Sequence, residues 1–155
     1  MKQDFIKIKK FLDENKVNYK VIEHEPVFTS EQAAKVRGMD LKMGAKSMIV
    51  RSEGKFYDFV LSAAKKIDWN KVKDILKNKS VSLADPAEVL KVINCEIGSV
   101  PPFGSLYGIK LYCDPSLLEN EEIEFNAGLH EVSIRMSSKD WLKLANPEVV
   151  YFTKD

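Results

Sequence analysis

Two cysteines and two histidines are a thin supply of soft ligands for 155 residues. Cys95 and Cys113 are far too distant for a CxxC pair and no HExxH spacing occurs, so no metal site is expected and the thiols read as reduced. Glycine and proline are also sparse, at 7 and 6, which excludes collagen-like and low-complexity chains. Charge of either sign is barely in excess, at +1, so no broad basic field draws this chain to long nucleic acid. A nucleic-acid partner would have to be gripped locally, at an end or an exposed single strand. No apolar run approaches the length of a bilayer, and "MKQDFIKIKK" has no continuous apolar segment behind its charges. Neither a membrane span nor a signal peptide is expected, and the expected location is the cytoplasm. Hydrolase machinery is missing too: there is no GxSxG elbow and no local signature tying a serine or cysteine to a histidine.

What remains is an ordinary globular composition, 45% hydrophobic and 30% charged, long enough for one domain over residues 1–155 with a real core. Phe5, Ile8, Phe11 and Leu12 recur at helix spacing and predict a first helix ending near Asn15. "NYKVIEHE" alternates as a strand. Thr29 with Gln32 reads as a capping box opening a short helix that Gly38 ends. The strand that starts at Lys46 and "KFYDFVLSA" predict a hairpin about Glu53-Gly54. Asp68 is a cap for "WNKVKDILKN", and Asp85-Pro86-Ala87-Glu88 is a helix start with cap, first-turn proline and acid in place. Beyond Cys95 the chain turns strand-rich, with "GIKLYCD", "EIEFNAG", "HEVSIRM" and "EVVYFT", and a helix "KDWLKLA" before the last. The pattern predicts an α+β domain around a mixed, mostly antiparallel sheet.

Three segments could carry chemistry. "GMDLKMGAKSMIV" hints at a phosphate loop, but five residues separate Gly38 from Gly44 and Ala45 intervenes before Lys46, so the spacing fails. Lys46 instead starts a strand, in company with Met48 and Val50. It either snorkels to water from the strand end or is a cation held at a pocket edge for an anionic ligand. In "CEIGSVPPFG", Pro101 and Pro102 exclude helix and central strand, and Gly98 and Gly104 bracket them. The result is a stiff loop, either a plain connector or one whose Gly98, Ser99 and Val100 amides are open to a ligand. In "FNAGLHEVSIRM", Asn126-Ala127-Gly128 breaks a strand and a new one begins. Alternation then puts His130 with Val132, Ile134 and Met136, as a wall residue or an acid–base group.

Taken in order, "YKVIEHEPVFTSEQAA", "GAKSMIV", "LADPAEV", "GSVPPFG" and "FNAGLHEVSIRM" resemble the YbaK/ProX family, freestanding relatives of the prolyl-tRNA synthetase editing domain. The resemblance covers roughly Tyr19 to Met136. It implies a partly barrel-like twisted sheet surrounded by helices. It also implies hydrolysis of the ester joining a wrong amino acid, alanine or cysteine first, to the terminal adenosine of a tRNA, usually proline tRNA. No cofactor and no metal are implied. The implied partners are the tRNA acceptor end (CCA) and prolyl-tRNA synthetase. Lys46 matches the lysine that engages the terminal nucleotide. Gly98, Ser99 and Val100 match the loop that positions the reacting carbonyl. Thr29, Pro101, Pro102, Phe103, Gly128 and His130 lie where the family lines its substrate pocket. Pro101 departs from the small polar residue of many relatives, which bears on the amino acid preferred. The alternatives are a non-catalytic tRNA- or synthetase-binding module of the same fold, and a hydrolase of another small ester.

Overall fold

Short local signals fix most of the elements. The computed structural model describes residues 2–26 and 40–155; the predicted Thr29 capping box and the helix it opens lie outside them. The first helix, α1 (Lys2–Glu14), buries Ile8 and Leu12 completely, one turn apart on its inner face. Asp68 caps α2 (Trp69–Leu76) by accepting from the Asn70 amide. Asp85 and Glu88 form a reciprocal capping box on α3 (Pro86–Ile93). Ser137 accepts from the Asp140 amide to start α4 (Ser138–Ala145). The last three helices end on Lys77, Asn94 and Asn146 in the left-handed conformation, the C-terminal role more often given to glycine.

Ten strands form three sheets among the described residues. The largest has the order β5-β2-β3-β6-β9. In it β2 (Ala45–Ser52) and β3 (Lys55–Ser62) are the predicted hairpin, turned by Glu53 and Gly54 at φ 49° and 76°. The hairpin adds β5 (Ser82–Leu83) antiparallel on one side, and β6 (Lys110–Cys113) then β9 (Glu148–Val149) in parallel on the other. A second sheet, β1-β8-β7, is antiparallel: β1 (Tyr19–Glu23), β7 (Glu122–Leu129) and β8 (Val132–Ser137). A two-stranded ribbon pairs β4 (Lys66–Ile67) with β10 (Thr153–Lys154). The α+β class stands, with parallel pairs mixed into a largely antiparallel arrangement.

Two expected strands come out differently. "EVVYFT" is not one strand but β9 and β10, in different sheets, because the Asp114 carboxylate accepts the amides of Phe152 and Thr153 at 2.9 and 3.2 Å and draws the chain off line. "EIEFNAG" does not end at Asn126: β7 runs on through a register shift to Leu129, and the reversal falls at His130-Glu131.

The core lies in three clusters. One joins α1, β7, β8 and α4 around Phe103, Phe125 and Trp141. A second packs α2 and the ribbon on one face of the large sheet, around Val50, Phe59, Leu61 and Phe152. The third sets α3 against Ile49 and Val100.

Candidate active site

Alternation sends Ile123, Phe125 and Ala127 of β7, and Val132, Ile134 and Met136 of β8, into the first core cluster. Glu124, Asn126, Ser133 and Arg135 therefore share the opposite face. That face is not plain solvent-facing surface, since Glu124 and Ser133 are fully buried. Arg135 is opposite Glu124 in register and its Nε donates to Oε1 at 2.9 Å, so the buried carboxylate meets its countercharge. One step along, Ser133 opposes Asn126, with its Oγ 3.5 Å from Asn126 Oδ1 and 2.7 Å from His24 Nε2. His24 Nδ1 lies 2.7 Å from the Glu25 carbonyl, a contact that needs a proton on Nδ1. In the neutral ring Nε2 then accepts, so the Ser133 hydroxyl donates to His24 and its longer approach to Asn126 is the weaker.

Lys46 joins this face through a single bridge. Gly44 pairs in parallel with Glu124, fastening the start of β2 to the middle of β7. Ala45 turns into the same core cluster as Phe125. Two residues beyond Gly44, Lys46 falls on the side of Glu124 and Asn126, half-buried. Further along the same face of β2, Met48 and Val50 pack under α2. Lys46 thus stands where the polar face of the small sheet meets the α2 layer.

The Gly98–Pro102 loop is stitched to the same strand. Gly98 holds φ 88°, a conformation that resists a side chain. Its carbonyl accepts from Asn126 Nδ2, the Ser99 carbonyl accepts from the Gly128 amide at 2.9 Å, and the Pro102 carbonyl accepts from Trp141 Nε1 at 3.0 Å. Of the three amides expected to be open, that of Ser99 is taken by the Glu96 carbonyl at 3.0 Å. Among the described residues no acceptor meets the Gly98 or Val100 amide.

The other expected pocket residues divide. Phe103 is fully buried, edge-on to Phe11 and Phe125 with centroids 5.8 and 5.6 Å apart, so it belongs to the core and not to a substrate surface. Pro101 and Pro102 are buried as the loop's stiffening. Gly128, at φ 90°, ties the loop through its amide. His130 is not a strand residue: it sits in the reversal, nearly buried, with Nε2 3.1 Å from Glu96 Oε2. It braces the entrance of the loop. Thr29 lies outside the described residues. Sequence reasoning missed Asn126, Ser133, His24, Glu124 and Arg135. Their signal is an acid facing a base and an amide facing a hydroxyl, and it appears only once the register of β7 with β8 is known.

Chemistry elsewhere is constrained. Burial pushes the Cys95 and Cys113 thiols up to about 12, with Asp4 and Asp114 adding to it, so neither is a thiolate nucleophile at neutral pH. Asp58 on β3 is fully buried; Ser47 Oγ donates to its Oδ1 while no partner meets Oδ2 among the described residues. Burial raises its carboxyl to about 7, against the Ser47 hydroxyl and the neighbouring Gly104 amide. A Cβ at Gly104 would fall 2.9 Å from Asp58 Cβ, so glycine there lets the chain after the loop lie against the acid. Among the described residues no group of three His, Cys, Asp or Glu is placed to hold a metal, and no helix is long and apolar enough to cross a membrane.

Residues 24–144 match the family model of the aminoacyl-tRNA editing domain. The Multifunctional Ser/Thr-tRNA deacylase ProXp-y of Escherichia coli (strain K12) is 32% identical over 148 residues, 92% of this chain and 89% of that one. The Prolyl-tRNA editing protein ProX of Acetoanaerobium sticklandii is 27% identical over 139 residues, 86% and 85% of the two chains. A solved structure described as a candidate trans-editing enzyme for prolyl tRNA synthetase has a TM-score of 0.87 at 24% identity, covering 98% of each chain, a likeness of fold.

Proposed function

The chain belongs to the aminoacyl-tRNA editing domain family, and on that footing we propose that it is an aminoacyl-tRNA deacylase. It hydrolyses the ester between a small, wrongly attached amino acid and the terminal adenosine of a tRNA. The observation that carries the reading is the Asn126 amide bonded to the Gly98 carbonyl. That bond holds the stiff loop against the strand whose polar face Lys46 shares.

In this reading Lys46 takes the charge of the terminal nucleotide's phosphate. The Gly98 and Val100 amides receive the carbonyl oxygen as it becomes an oxyanion. Water adds to the carbon, the ester C–O bond breaks, and the freed ribose oxygen takes a proton. An aminoacyl ester is reactive already, so fixing the carbonyl and supplying two amides is enough without a metal. A near-neutral protein suits this substrate, since the exposed CCA end is held by its last base and phosphates. The need for such a sieve is physical: a pocket separates residues differing by one methylene by only about 1–3 kcal/mol. Alanine and cysteine are the first candidates, and the likeness to a Ser/Thr-tRNA deacylase adds serine and threonine.

The test is a panel of tRNAs charged with these four residues, incubated with wild type and Lys46→Ala. At least one ester is expected to be lost, about 100-fold more slowly in the variant, with its melting temperature kept within a few degrees. Equal turnover by both proteins would remove Lys46 from the mechanism. Binding without turnover on every tRNA would favour the non-catalytic module.

A further inference from the structure

The ribbon of β4 and β10 carries a pairing that the fold alone does not call for. Lys66 and Lys154 are directly opposite one another in its antiparallel register. The neighbouring pair, Ile67 with Thr153, sends Ile67 into the core cluster, so the two lysines point outward together, and both are exposed. Like charges placed opposite each other weaken a ribbon. A third amine closes on them: Lys71 of α2 donates from Nζ to the Thr153 carbonyl at 3.5 Å. The acid nearest in sequence, Asp155, is paired with Lys65. Among the described residues no carboxylate lies within ion-pair distance of Lys66, Lys71 or Lys154. Tyr151, two residues before the ribbon, is 71% exposed, more than any other large apolar side chain described.

This cluster borders the candidate site. The ribbon and α2 pack on the face of the large sheet that carries Met48 and Val50, and Lys46 is the next residue outward on that face. At the same end, the Lys42 carbonyl is held by the Ser62 hydroxyl and the Gly44 carbonyl by the Ala63 amide, so the chain passes from the site to Lys66 within a few residues.

We propose that the ribbon, with Lys71 beside it, is the surface on which the base-paired acceptor arm of the RNA lies when its end occupies the site; this rests on the function proposed above. Three clustered amines with no carboxylate partner among the described residues, in a chain of net charge +1, make a local footprint for a row of phosphates. The exposed tyrosine two residues before the ribbon suits a base or ribose better than a bare anion would require. The surface reads backbone charge and not sequence, so it contributes affinity and leaves amino-acid choice to the site.

The test compares wild type, Lys66→Glu and the double variant K66E/K154E, with K9E/K10E on α1 as a charge-matched control. Two substrates are used: an aminoacyl-tRNA and an aminoacylated CCA trinucleotide that lacks the duplex. Binding of uncharged tRNA is followed in parallel by fluorescence anisotropy. On tRNA the double variant is expected to raise KM about tenfold and to flatten the salt dependence of binding by roughly one to two phosphate contacts, with kcat unchanged. On the trinucleotide it is expected to match wild type. Lys66→Glu alone is expected to weaken tRNA binding while slightly raising the melting temperature, because it turns a repulsive pair into an attractive one. Equal losses on both substrates, no loss on either, or an equal loss in the α1 control would overturn the proposal. So would variants that lose binding to anionic lipid vesicles while keeping tRNA affinity. Should wild type hydrolyse neither substrate, the deacylase reading fails and the anisotropy measurement still decides the surface.

Discussion

The small and large sheets each bury one carboxylate, and they treat it differently. Glu124 on the small sheet lies opposite Arg135, whose guanidinium covers it at 2.9 Å. Asp58 on the large sheet has the Ser47 hydroxyl and a close glycine segment, with no cation among its perturbing neighbours. A buried charge with its countercharge can stay ionised, whereas one without tends to keep its proton. Their surroundings differ as well. Around Glu124 lie Asn126, Ser133, His24 and Lys46, a polar face kept within an otherwise apolar fold. Around Asp58 lie Ile49, Val60 and Leu111, a core in which one acid holds a hydroxyl and a turn together.

The comparison breaks most visibly at Arg135. Arg135→Leu takes from the buried Glu124 carboxylate the guanidinium opposite it in register and is expected to cost about 3–5 kcal/mol in urea unfolding at neutral pH. A loss below about 1 kcal/mol would mean that Glu124 does not depend on that guanidinium for its burial.

Asp58 is expected to act in the opposite sense. Its folded value, about 7, lies above the ordinary 3.8, so between those pH values the folded state holds a proton that the unfolded chain has released. Its contribution to stability is therefore fully present below about pH 4, falls as pH rises, and levels off above about pH 7, a total of roughly 2–4 kcal/mol. Asp58→Asn, which still accepts from Ser47, should remove that slope and unfold later than wild type at pH 8. Parallel pH profiles for the two proteins would show that Asp58 titrates alike in the folded and the unfolded chain. Ser47→Ala sharpens the same point with a smaller effect. It is expected to cost about 1 kcal/mol at pH 5, where the bond is neutral, and about twice that at pH 8, where it is charge-assisted. A pH-independent cost would contradict the titration.

The parts of the fold legible in the sequence are those decided by neighbours along the chain. Glu53-Gly54 gives the hairpin, and Asp85 with Glu88 gives a helix start, because each needs only residues within one turn. "EVVYFT" misleads because its course is set by Asp114, more than thirty residues earlier in the chain. Within the site, Lys46 was legible as a lysine out of place on a strand, and the loop as prolines between glycines. Ser99 could not be recognised as having its amide taken, nor Phe103 as core, since both depend on what folds against them. Alternation marks Glu124, Asn126, Ser133 and Arg135 as an outer face; only the register reveals that they are matched pairs and buried.

Asp114 has a consequence for how the molecule would come apart. Burial opposes its charge, yet the Ser116 hydroxyl and the Phe152, Ser116 and Thr153 donors hold its carboxyl below the ordinary value. It is a latch for the tail, and Phe152 is the bolt, fully enclosed in the cluster beneath α2. Strong acid, by protonating the latch, would loosen that bolt, and because Phe152 stands edge-on to Phe59 the loss would be felt at once on the face of the hairpin that carries Lys46.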